Sequence, residues 1–65
     1  MSSPPPIGSR VEMLCHNQLG SYFETAVVVN QFTDPGVGVV LEMQLDTDQR
    51  RVQRIWPSPA IRRRP

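Results

Sequence analysis

The chain has no lysine, and among its 65 residues only one cysteine, one histidine and one tryptophan. Each scarcity excludes something. Cys15 alone cannot close an intrachain disulfide, which suits a reducing nuclear or cytoplasmic interior. One cysteine and one histidine cannot build a structural zinc site, and no cofactor is expected. No apolar run approaches the roughly 20 residues that a membrane span requires, so no membrane partner is expected either. The opening MSSPPPIGS lacks the basic start and apolar stretch of a signal peptide. Helical spacing of apolar residues at i, i+3, i+4 and i+7 is missing throughout. A chain this short forms one domain at most and buries only about 60% of the surface that its unfolded form exposes.

What is present is arginine, and it is unevenly placed. Six of the seven arginines (Arg50, Arg51, Arg54, Arg62, Arg63 and Arg64) follow Asp48, the last acidic residue. The first 49 residues carry a net charge of −5 and the last 16 carry +6. Such a split suggests a basic segment that seeks an anionic partner, or else a solubilising tail.

Strand periodicity runs through the middle of the chain. In RVEMLC, Val11, Met13 and Cys15 share one face. A second strand runs from about Tyr22 to Gln31, and its AVVV stretch (26–29) breaks the alternation. TDPG is the clearest turn, with Pro35 and Gly36 at its central positions. The third strand alternates Val37, Val39, Leu41, Met43 and Leu45 inward, and DTDQ turns the chain again. RRVQRIW gives a short fourth strand running into a fifth, ended by Pro57 and Pro59. Strands are expected near 8–15, 22–31, 37–45, 50–53 and 55–57. The expected core is Val11, Met13, Thr25, Val27, Val29, Val39, Leu41, Met43, Val52 and Ile55.

So few residues cannot bury two sheet faces, and closing the sheet removes its edges. The expected fold is therefore an all-β, strongly bent, five-stranded SH3-like barrel over 7–58. A disordered proline-rich tail (1–6) precedes it and an arginine-rich tail (59–65) follows.

The order GSRVEML, GSYFETAVVV and RVQRIWPSP resembles the agenet and Tudor-like domains of the Royal superfamily over roughly residues 7–59. The resemblance implies the same bent barrel and a non-enzymatic, chromatin-associated binding role. Many members of that family hold methylated lysine or arginine of histone tails in an aromatic cage, by cation–π attraction. With Thr25, Val27 and Val29 inward, Phe23 lies at the barrel mouth as a cage ring with Tyr22 beside it, or else it plugs the barrel end. His16 falls where a first-loop wall is expected. Glu42 and Leu45 fall near two further ring positions. Trp56, next to Ile55, faces outward if Ile55 is core. The candidate ligand site is thus Tyr22, Phe23, His16, Glu42 and Trp56, and with rings missing from it, discrimination for methylated peptide should be small.

Catalysis is not expected. Cys15 and His16 are neighbours in a strand and point to opposite faces, which separates a thiolate from an imidazole. PGVGVV is not followed by a helix and so is no phosphate cradle. Two binding readings are left open. One is a peptide reader, of a histone or another protein, at the Tyr22–Phe23–Trp56 end. The other is a DNA- or RNA-binding small barrel, in which Arg50, Arg51, Arg54, Arg62, Arg63 and Arg64 contact phosphate and Trp56 stacks on a base.

Overall fold

The computed structural model describes residues 3–64. It is all-β. Five antiparallel strands, β1 (Arg10–Asn17), β2 (Gly20–Asp34), β3 (Gly38–Leu45), β4 (Arg51–Trp56) and β5 (Ile61–Arg63), form one sheet in the order β4-β3-β2-β1-β5. The sheet is not closed into a barrel: among the described residues β4 pairs only with β3, and β5 only with β1. It curls nonetheless, because Arg63 on one edge strand lies 5.7 Å from the Trp56 ring centroid on the other.

The turns of the β2–β3 and β3–β4 hairpins lie where turn chemistry places them. The Val37 amide donates to the Asp34 carbonyl at 3.3 Å, which sets Pro35 and Gly36 at the centre of the turn. The Asp34 carboxylate accepts from the Gly36 amide at 2.7 Å and fixes the bend from inside. The positive φ falls on Gly38 (105°), the residue that opens β3. The DTDQ turn closes through Gln49 N–H to Leu45 O (3.0 Å) and Leu45 N–H to Arg50 O (2.8 Å).

The core is Val11, Met13, Ala26, Val28, Leu41, Met43, Leu45 and Ile61, with Val39, Val52 and Trp56 packed against it. The expected phases of β1 and β3 hold, except that Val37, expected inward on the third strand, lies in the turn before β3 and is exposed. The phase of β2 does not hold. Ala26 and Val28 are buried, whereas Thr25, Val27 and Val29 are only half-buried. The pairing with β3 shifts between Val28 and Asn30, leaving Val29 as an extra residue. This bulge reverses which residues face inward along the second half of β2. The phase of β4 is also corrected: Val52 and Trp56 pack inward while Ile55 is 47% exposed.

Two expected tails belong to the fold. Ile61–Arg63 is the true fifth strand, not 55–57, which is absorbed into β4 and the prolines after it. Ile61 sits opposite Met13 and is buried, and the Leu14 amide donates to Ala60 O at 2.7 Å. At the other end, Pro5 is fully buried. Gly8 N–H donates to Val28 O (2.7 Å) and Val28 N–H to Ser9 O (3.0 Å), so this segment extends the β1–β2 ladder. Met1 and Ser2, part of the expected disordered tail, and Pro65, the last residue of the expected C-terminal tail, lie outside the described residues.

Candidate functional site

The five expected ligand residues do not converge. Tyr22 pairs with Cys15 at the tip of the β1–β2 hairpin and is 43% exposed. His16 is close by, its Nδ1 sharing a 2.8 Å hydrogen bond with Ser21 Oγ. Phe23 takes the opposite face from Tyr22, because the inward residues of β2 are Ala26 and Val28. There it is covered: the Arg62 guanidinium lies 3.6 Å from its ring centroid. The same guanidinium donates from Nε to Glu12 at 2.7 Å, which holds it flat on the ring. Glu42 is half-buried between Asn30 and Gln53 on the neighbouring strands. Trp56 packs on the core near Arg63, and its buried Nε1 has no hydrogen-bond partner among the described residues.

The arginines divide in the same way. Arg62 is tied to Phe23 and Glu12, while Arg63 lies near Trp56 and donates to the Ser3 carbonyl. Arg10 is paired with Asp46 at 2.7 Å. Arg50 is only loosely held, 3.8 Å from Asp48. Arg51, Arg54 and Arg64 contact no carboxylate among the described residues. Arg54 donates to the carbonyl of its own neighbour, Gln53, at 2.8 Å.

Among the described residues, two concave surfaces bear on the site. The larger, of about 710 Å³, lies beside β4 and was not anticipated from the sequence. Phe32, Val37, Val40, Ile55, Pro57 and Pro59 form its apolar wall, with Asp34 and Arg54 at its rim. Phe32, Val40 and Ile55 are successive partners across β2, β3 and β4, so the register aligns them in one row. Phe32, Val37 and Ile55 are 40%, 53% and 47% exposed, a concentration of open apolar surface in one place. Val37 and Ile55 were both expected to face inward, so the sequence offered no signal for this surface. The smaller cavity, about 210 Å³, lies at the mouth between the β1–β2 tip and β4. It brings Tyr22 and His16 together with Arg50 and Arg54.

Cys15 and His16 diverge as alternation requires. Cys15 Sγ donates to Glu24 at 3.4 Å while His16 turns to Ser21. Burial and the Glu24 carboxylate raise the Cys15 thiol pKa above its ordinary value, against the opposing pull of Arg50 and Arg54. Among the described residues there is no group of three or more His, Cys, Asp or Glu side chains able to hold a metal ion. No helix among them is long and apolar enough to cross a membrane.

Comparison with known proteins finds no matching family model, no matching curated protein and no matching solved structure.

Proposed function

We propose that the chain is a non-enzymatic protein-interaction module that binds an extended, acidic peptide along the outer edge of β4. The observation that carries this reading is the groove itself. An unpaired strand edge runs beside a row of exposed apolar side chains. An open edge offers its backbone N–H and C=O groups to an incoming strand, and neighbouring pockets select alternate side chains of that strand. The charge of the occupant follows from Arg54 in the groove and from Arg50 and Arg51 further along the same edge, which together outweigh Asp34 at the turn end of the groove.

The reading keeps the peptide-binding class implied by the agenet and Tudor resemblance but moves the site from the mouth to the β4 edge. The strand order, with β1 between β2 and β5, and the curl that brings Arg63 to Trp56 support a bent SH3-like arrangement. A methyl-lysine cage is not favoured, since Phe23 carries Arg62 and Trp56 packs on the core. A histone tail, being basic, would meet like charge at β4.

A blocked peptide of alternating valine and glutamate, titrated into isotopically labelled protein, tests the proposal. Amide shifts should concentrate on Gln53, Arg54 and Ile55, and Ile55→Asp should weaken binding at least tenfold, as for an interface anchor. A valine–lysine peptide should not bind. Absence of shifts on β4 with the acidic peptide, or equal binding of the basic one, would sink the reading.

A further inference from the structure

The mouth cavity is separate from the groove, and its chemistry differs. Its floor is apolar, from Leu45 and Val52, and one wall is the part-exposed Tyr22 ring. Arg50 and Arg54 line the same cavity from β4. Cys15, the cross-strand partner of Tyr22, lines the cavity as well, so both arginines and the hairpin tip border one space. Neither is locked in place: Arg50 is 3.8 Å from Asp48, and Arg54 caps only a backbone carbonyl. The nearby Glu24 carboxylate is already engaged by Cys15 Sγ and Thr47 Oγ1. An aromatic face beside two loosely held cations is the combination that single-stranded nucleic acid requires.

We propose that this mouth binds one nucleotide of a single-stranded nucleic acid, the base stacking on Tyr22 and the adjoining phosphates meeting Arg50 and Arg54. Guanidinium groups suit phosphate because their planar donors can engage two oxygens at once. His16 at the rim adds a hydrogen-bonding group for a base edge or sugar. A duplex is excluded as the ligand, since its bases stay stacked within the helix and a ring at a small mouth cannot reach a base face. An extended peptide suits the mouth less well than the groove, because without an aromatic side chain it has no flat group to lie on Tyr22. Arg54 lines both sites. The two ligands therefore compete for one guanidinium, and each should weaken the other.

The test is fluorescence anisotropy of a labelled short oligothymidylate at several salt concentrations, with amide shifts recorded in parallel. Neutralisation of two phosphates by Arg50 and Arg54 should give a log K against log salt slope of roughly −1.4. Tyr22→Ala should weaken binding at least about fivefold, the lower end of a lost stacking contact, while Tyr22→Phe keeps it. Arg50→Gln should weaken binding and reduce the slope by roughly 0.7. Ile55→Ser, which removes the apolar anchor of the peptide groove without placing a carboxylate beside Arg54, should leave oligonucleotide binding unchanged, so the two proposals fail separately. Wild-type affinity in Tyr22→Ala would overturn the proposal and reduce the arginines to a diffuse polyanion patch. So would amide shifts at Tyr22 and His16 with the valine–glutamate peptide but not the oligonucleotide. Equal affinity for duplex and single strand would overturn it as well.

Discussion

The two edge strands carry the same residue type and use it in opposite ways. On β5, Arg62 lies flat on Phe23 and is pinned by Glu12, and Arg63 lies near Trp56. On β4, Arg51 and Arg54 have no carboxylate partner among the described residues, and Arg50, just before the strand, has a distant one. The difference is one of neighbours. On the inner edge of β5, Glu12 of β1 faces Arg62 directly in register, whereas on the inner edge of β4 the residues of β3 facing Arg51 and Arg54 are Gln44 and Leu41, neither of them charged. An arginine beside a ring and a carboxylate stabilises the fold. One with neither a ring nor a carboxylate opposite it is available to a ligand.

The sharpest way to break this comparison is to remove the anchor of β5. Ile61→Ala should cost about 2–4 kcal/mol, the range for truncating a buried isoleucine, and in a domain this small it should visibly lower the denaturant midpoint. Unchanged stability would mean that β5 is not held by the core. The Arg62 stack should matter less. Arg62→Ala should cost about 1 kcal/mol, since the ion pair and the cation–π contact are both near solvent. A double-mutant cycle with Phe23→Leu isolates the stacking part, and a coupling of zero would remove the structural role assigned to Arg62.

On the other edge, Arg51→Gln and Arg54→Gln should each change stability by less than about 0.5 kcal/mol, as surface substitutions do. Thermal denaturation beside the Arg62 variant provides the direct contrast, and a loss equal to that of Arg62→Ala would erase it. The smallest effect is electrostatic. Because Arg50 and Arg54 oppose the raised Cys15 pKa, Arg54→Gln should push it higher and slow alkylation of the thiol near pH 8. Glu24→Gln should act in the reverse direction, since its carboxylate both accepts from the thiol and repels the thiolate. Rates that do not change would place the β4 arginines away from the mouth.

The sequence reading was sound wherever one strand carried its own period. Val11 and Met13 on β1, and Leu41, Met43 and Leu45 on β3, alternate with polar or less buried neighbours and lie on the inner face. Asp34 and Pro35 set the β2–β3 hairpin by chemistry confined to the turn. The candidate site was much less legible. Tyr22, His16, Arg50 and Arg54 were each identified, but as members of different sites, and only the curl of the sheet places them around one cavity. The apolar groove depends on Phe32, whose outward position follows from a bulge three residues earlier.

By itself, then, the sequence determined an all-β chain, the positions of its turns, and the inner faces of β1 and β3, because alternation and turn propensity are local properties. Tertiary structure decided the rest. In AVVV every residue is apolar, so either phase buries comparable side chains, and the choice is made by register with β1 on one side and β3 on the other. Val29 absorbs the mismatch as a bulge. Ile61 lies among arginines with no period of its own, and it becomes a strand only because the free edge of β1 offers it partners and Met13 offers it a core contact. Pro5 is buried for the same reason: a side chain without local structure occupies the apolar space that a folded sheet leaves open.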